Sequence, residues 1–261
     1  MDKIKGSMVQ ALRTDALDVV VALTEGLISD MVHTSPTYRI VTQYTESPLV
    51  WGIAVRSGTE KITGLSDLNK KRFGVSRLGS GSHLMAILLA QKQGWDMPSF
   101  VIVGGLADLI KALEEDLIDA FLWETTMLSP FGSIFQIDTI ESPWPCFMFA
   151  VQDALLHDPH SLQTIKKIIF LVRNQCSEFM RNVSQSIPLI TQSCHVSEVD
   201  ALRWFNHTQF THNDSDSADD VINPQSSDRL LNIVTQTAEI LQQAGIISLA
   251  PSDPSSLIFN P

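Results

Sequence analysis

The residues Arg77-Leu78-Gly79-Ser80-Gly81-Ser82-His83 place two glycines and two hydroxyls within four positions, just ahead of an apolar helical pattern. Glycine lets the backbone turn tightly and lets a ligand approach it closely. Free N–H groups at a helix start, together with the Ser80 and Ser82 hydroxyls, form a donor nest for a carboxylate, phosphate or sulfonate. The same residues also suit an ordinary capped helix behind a glycine turn. Three sharper chemistries fail here. A dinucleotide fingerprint needs glycine where Leu84 stands, a phosphate-binding Walker loop needs Gly-Lys-Ser/Thr, and a nucleophile elbow needs Gly-x-Ser-x-Gly.

Two further groups combine carboxylates with neighbours of interest, Thr24-Glu25-Gly26 and Trp123-Glu124. Either carboxylate suits a ligand amine or ring N–H, and Trp123 suits stacking on a planar group. Glu25 also suits the first turn of a helix, where the dipole favours an acid, and Trp123 suits core packing. Nothing in the spacing marks the two acids as a catalytic pair. Trp51 and Trp144 flank the two places where the chain is expected to cross between lobes, as hinge or wall packing. His157 and His160, around Pro159, read as a helix start, and His195, His207 and His212 share no ligand spacing. No catalytic residue, metal or cofactor is expected.

These residues need elements to hold them. Apolar runs predict strands at 18–23, 39–44, 49–55, 73–76, 100–103, 120–123, 134–137 and 147–151. Helices are expected at 7–14, 25–32 and 82–93, the last ending at Gly94. Another carries Leu106, Leu109, Ile110 and Leu113 on one face. From 160 onward the pattern is helical, at about 160–182, 185–194, 197–206 and 228–244. The acidic stretch 212–223 reads as a solvated loop without a ligand role. Alternating strands and helices predict mostly parallel sheets. Pro48 makes Ser47 extended and interrupts any ladder there.

An internal echo links two of these segments. Residues 11–24 and 112–125 align without a gap, matching Ala11, Leu12, Asp15, Asp18 and Thr24 with Ala112, Leu113, Asp116, Asp119 and Thr125. Each copy reads as helix end, acidic turn, strand and polar loop. The loop falls at the C-terminal end of its strand, where open α/β sheets bind ligands. Helix–Asp–strand is also a common phrase of such folds.

Composition narrows the partners. Among 261 residues, 44% are hydrophobic and 18% charged, with a net charge of −11. No Lys/Arg stripe is present, so neither nucleic acid nor an anionic membrane is an expected partner. The apolar runs are too short to span a bilayer, and the first residues lack a secretory core. Cys146, Cys176 and Cys194 are an odd set without metal spacing and read as thiols of a reducing compartment. Formation of a homo-oligomer is left open.

The run from Ile62 to Ala90, with ALTEG, YTESPLVW and DAFLWE around it, resembles the nitrate-, sulfonate- and taurine-type periplasmic-binding-protein-like family. That superfamily includes the fungal thiamine-pyrimidine synthases, and the chain most resembles a fungal, cytoplasmic group within it. The resemblance implies an α/β, two-lobed type II periplasmic-binding-protein fold with a small molecule held between the lobes. Lobe 1 would comprise 1–46 plus 148–261, and lobe 2 residues 47–147. It implies ligand contacts at Thr24, Glu25, Ser47, Pro48, Arg77, Ser80, Gly81, Ser82, Trp123 and Glu124. The ligand would be an anionic or heteroaromatic metabolite. A thiamine-pyrimidine-synthase-like enzyme is the alternative; Cys146-Phe147 only faintly echoes that group's cysteine motif, and its donor histidine has no counterpart. Set against the family, the chain starts within the second helix, so the first lobe is expected to be incomplete.

Overall fold

The computed structural model describes residues 7–34, 37–58 and 62–260. In chain order it contains α1 (Ser7–Arg13), β1 (Val19–Leu23), α2 (Thr24–His33), β2 (Tyr38–Gln43), β3 (Val50–Arg56), β4 (Arg72–Val75), α3 (Gly81–Gln93) and β5 (Ser99–Ile102). There follow α4 (Leu106–Glu114), β6 (Ala120–Glu124), α5 (Thr125–Leu128), β7 (Ile134–Glu141), β8 (Phe147–Gln152), α6 (Asp153–Leu156) and α7 (Pro159–Arg181). The chain continues as α8 (Val183–Cys194), α9 (Glu198–His207) and α10 (Pro224–Gln243), with short 3-10 turns at Leu65–Leu68, Ala218–Val221 and Pro254–Leu257.

The chain forms two compact units. Unit 1 holds Met1–Pro48, Pro143–Ser186 and His207–Pro261, and unit 2 holds Leu49–Ser142 and Ile187–Asn206. Residues 187–206 were expected in the helical tail of the first lobe but belong to unit 2. Amphipathic helices carry a stripe to bury but no label for the sheet that buries it.

Unit 1 is built on a three-stranded sheet, order β1-β8-β2. Phe149 and Val151 of β8 and Val41 of β2 pack with Ile165 and Ile169 of α7. The alternate residues Val20, Ala22, Ile40, Met148 and Ala150 are also buried, so both faces of the sheet are covered. Val221 and Ile222 join the α7 core, and Lys166 Nζ donates to the Asp219 carbonyl. The end of the stretch expected as a solvated loop is therefore anchored, because two apolar residues among the acids have a core to enter.

Unit 2 is built on a five-stranded sheet, order β5-β4-β6-β3-β7. Leu109, Ile110, Ala112 and Leu113 of α4 pack with Ala54, Ile118, Phe121 and Leu128. The expected face of α4 is thus the buried one. On α3 the buried residues include Leu84, Met85, Ile87 and Leu89, so the helix is covered on more than one side.

The expectation of mostly parallel sheets holds for strand direction and fails for neighbours. β1 and β2 run the same way, but β8 lies between them, antiparallel to both. In unit 2, β4 is parallel to β5 and β6, while β3 is antiparallel to β6 and β7. The reversed strands β8 and β3 are the first strands after the chain passes from one unit to the other. A β-α-β reading fixes direction but does not say which strand is inserted between.

Candidate functional site

In each unit the residues singled out from the sequence gather along one edge of the sheet. In unit 1 this edge carries the ends of β1 and β2 and the beginning of the antiparallel β8. Thr24, fully buried, donates from Oγ1 to the Pro145 carbonyl at 2.5 Å and from N–H to the Cys146 carbonyl at 3.0 Å. Glu25 follows in the first turn of α2. Its Oε2 accepts from the Trp144 indole N–H at 2.9 Å. Burial pushes its carboxyl up to about 7, with backbone and indole donors opposing the shift. Trp144 is thus bonded to a candidate site residue rather than serving as packing alone.

The exit of β2 is stitched to the same segment. The Thr45 hydroxyl lies 3.2 Å from the Cys146 thiol and accepts from the Phe147 N–H at 3.1 Å. The Ser47 carbonyl accepts from the Cys146 N–H, and Ser47 Oγ accepts from the Gln209 N–H at 3.0 Å. Pro48 is half-buried at the end of this loop. Thr24, Glu25 and Ser47 are therefore joined through Trp144, Pro145 and Cys146, within one unit.

In unit 2 the corresponding edge carries the ends of β4, β6 and β7 and the start of β3. The loop after β4 turns at Gly79, whose φ of +73° is left-handed and suits glycine. Ser80 and Ser82 are buried, and their hydroxyls face each other at 3.0 Å. Ser80 Oγ donates to the Arg77 carbonyl at 2.7 Å and caps the His83 N–H, while Ser82 Oγ accepts from the Ser76 N–H. Both hydroxyls are thus spent on holding the loop. The donors left over are the N–H groups of Gly81 and Ser82, which find no acceptor among the described residues. The exposed Arg77 side chain stands at the start of the same loop. Gly79 N–H donates to His83 Nδ1 at 3.0 Å, and burial lowers the pKa of that imidazole.

Trp123 and Glu124 end β6 on this edge. The half-buried Trp123 packs against the core under α4. Glu124 caps the short α5, accepting from the Thr126 N–H at 3.0 Å and the Met127 N–H at 2.8 Å. Burial raises its pKa against those bonds. Opposite Glu124 in the ladder stands Trp51, buried, whose indole N–H has no partner among the described residues. An orphaned buried donor beside a raised carboxylate is a feature the sequence did not disclose, because strand neighbours are not written in it. No group of three or more His, Cys, Asp or Glu side chains suited to a metal occurs among the described residues.

Residues 51–140, which span β3 to β7 and so the whole sheet of unit 2, match the family model described as Ca3427-like PBP, where PBP is periplasmic binding protein. Among solved structures, the CA3427 gene product of Candida albicans, described as having the generic periplasmic-binding-protein fold, superposes with a TM-score of 0.77 at 25% identity. That match covers 96% of this chain and 80% of the Candida chain. The alkanesulfonate-binding protein SsuA from Xanthomonas axonopodis pv. citri, bound to MOPS, gives a TM-score of 0.73 at 15% identity, covering 98% of this chain and 85% of the other.

The chain has the periplasmic-binding-protein fold.

A ligand-binding component of an ABC-type import system from Staphylococcus aureus, with zinc bound, gives a TM-score of 0.67 at 15% identity over 98% of this chain and 82% of that one. No curated protein sequence matches the chain. With the fold given, a concentration of buried polar side chains at one sheet edge of each unit is what ligand binding demands of this architecture. No helix among the described residues is long and apolar enough to cross a membrane.

Proposed function

We propose that this chain binds a small anionic or heteroaromatic metabolite through the polar sheet edges of its units. One observation carries the reading. Thr24, Glu25, Thr45, Ser47, Ser80, Ser82, Thr126 and Ser142 are all buried polar residues, and all lie just past the C-terminal end of a strand. Several of these side chains hold their own loops, but at the same edge of unit 2 the Gly81 and Ser82 N–H groups and the buried Trp51 indole N–H are left without acceptors among the described residues, which a fold maintained for stability alone does not need. The similarity to a sulfonate-binding protein bound to MOPS supports an acidic ligand. In unit 2 the Gly81 and Ser82 N–H groups hold the acidic group, and Trp123 offers a face to a planar part. Glu25 or Glu124 accepts an N–H. The three free cysteines and the likeness to a Candida protein support a cytoplasmic, fungal setting.

Native mass spectrometry of the gently purified chain tests the reading directly. A small molecule that stays bound and is released unchanged by denaturation is the expected result. Gly81→Pro locates it. Proline is favoured at the first helical position, and Ser80 already has the extended backbone (φ −76°, ψ 163°) that a following proline requires. The substitution deletes one ligand donor and leaves the helix intact. Affinity should fall about tenfold or more, the worth of a hydrogen bond to a charged group, with the melting temperature unchanged. Unchanged affinity in Gly81→Pro removes the helix start from the account. A chain that carries no ligand and shows no thermal shift across a metabolite library removes the function.

A further inference from the structure

Arg173 stands where the pattern of its helix calls for an apolar residue. The buried residues of α7 are Ile165, Ile169 and Arg173, spaced four apart on the stripe that faces the sheet of unit 1. The side chain is 5% exposed, yet none of its nitrogens lies within ion-pair distance of a carboxylate among the described residues. Its Nη2 donates to Thr42 Oγ1 at 2.6 Å and to the Gln43 carbonyl at 2.9 Å, both neutral acceptors at the end of β2. Nε is buried with no acceptor, and Nη1 makes no hydrogen bond among the described residues. Asp214 and Glu46 act on it only at longer range, and Glu46 is engaged by Arg229 at 3.5 Å. Burial lowers its pKa to about 10, which leaves it cationic at neutral pH.

Two more unsatisfied atoms belong to the segment that runs over this place. Thr211 N–H donates to the Tyr44 carbonyl, next to Gln43, and Asn213 Nδ2 donates to the Phe170 carbonyl and Asn174 Oδ1 on either side of Arg173. Thr211 Oγ1 and Asn213 Oδ1 are both buried and without partners. A buried guanidinium that lacks a counter-ion is among the most costly arrangements a core can contain, and arginine presents its donors in the geometry of an oxyanion. Two buried donors therefore stand without acceptors where these segments meet at the end of β2, Nε of Arg173 and the Thr211 hydroxyl, and an anion would supply acceptors for both.

We propose that Arg173 and Thr211 form an oxyanion-binding site in unit 1, at the end of β2, for a carboxylate, sulfonate or phosphate group. This deepens the reading of the chain as a binder of small anionic molecules and rests on it. It adds a charged anion site in unit 1 to the neutral backbone donors of the Ser80–Ser82 helix start in unit 2.

The probes are inorganic phosphate and methanesulfonate, titrated against sodium chloride at equal ionic strength and followed by thermal shift on the full chain. The unsubstituted chain should gain melting temperature in a saturable way with at least one of the two. Arg173→Met, which fills the same core position with an apolar chain, should fold and lose that gain. Gly81→Pro should keep it. A gain that survives in Arg173→Met, or no gain in the unsubstituted chain, overturns the site and leaves only buried water at these atoms. If Arg173→Met fails to fold, the arginine Nε–H resonance of the unsubstituted chain, assigned by its absence in Arg173→Lys, decides. Movement on adding phosphate or methanesulfonate supports the site, and a fixed resonance refutes it. Failure here is separable from failure of the broader function, since a co-purifying metabolite in the native mass spectrum would stand even with Arg173 inert to both probes.

Discussion

Replacing Glu25 by glutamine should change how stability depends on pH, and the size of the change can be worked from the structure. Glu25 is 4% exposed, and its carboxyl is raised from 4.5 to about 7, chiefly by burial. Between those two values the folded chain binds a proton that the unfolded chain has released. Stability therefore falls as pH rises through this window, and the loss stays in place above it. A shift of roughly 2.5 units corresponds to about 3 kcal/mol. Glu25→Gln removes the titration but keeps an acceptor for the Trp144 indole N–H. Any cost of placing its amide is independent of pH and drops out of the comparison. The net charge of −11 adds self-repulsion on the alkaline side, but it acts on both proteins and also cancels. Urea denaturation from pH 4.5 to 8.5 should show the variant gaining on the parent by about 3 kcal/mol across this range, with most of the gain complete by pH 7. Parallel curves for the two proteins would refute the argument. So would a carboxyl carbon resonance for Glu25 that titrates below pH 5.

Three other outcomes follow from local geometry. Gly74→Ala should destabilise unit 2 by about 1–3 kcal/mol in urea melts, because the new methyl would press on Ile118 and Leu109 in the core under α4. Asp116 adopts a left-handed backbone with φ 59°, so Asp116→Gly should be neutral or stabilising while Asp116→Ala costs about 1 kcal/mol; a costlier glycine would count against this. The lowered pKa of His83 means that the folded chain resists protonating it, so His83 contributes stability above its ordinary pKa that is lost as pH falls below that value. Protection of the Gly79 amide, its exchange rate set against that of an unstructured amide at the same pH, should drop in that acid range, since a protonated ring cannot accept its N–H, and His83→Gln should remove that drop.

Much of the fold was legible because it is written in short-range pattern. The face of α4, the glycine stop of α3 and the eight strands follow from periodicity and turn chemistry. The insertion of β8 between β1 and β2 and the reversal of β3 were not legible, since pairing is set by contacts far apart in sequence. The candidate residues were legible as strand-end positions and less so as chemistry. Glycine and serine at 79–82 do mark a loop at a strand end, but their hydroxyls turn inward to fix it, and the free donors are backbone N–H groups. Arg173 was missed although a signal existed. An arginine in a long polar helix reads as solvated until its spacing from Ile165 and Ile169 is counted.

The echo between residues 11–24 and 112–125 shows where such a signal stops. Asp15 and Asp116 are two of four non-glycine residues with positive φ among the described residues, at 56° and 59°. In both copies the helix closes through the same bonds. Ala16 N–H donates to the Ala11 carbonyl and Leu117 N–H to that of Ala112, both at 2.9 Å. The matched aspartates therefore share a backbone task, because Asp tolerates the left-handed turn that ends a helix just before a buried strand. Beyond that turn the copies part. β1 is an edge of its sheet among the described strands, and β6 is the middle strand of its own. Glu25 lies inside the helix after its strand and accepts from Trp144, whereas Glu124 precedes its helix and caps it. The repeated residues fix the route of the chain to the sheet edge, and the carboxylates that could meet a ligand are placed by residues outside the repeat.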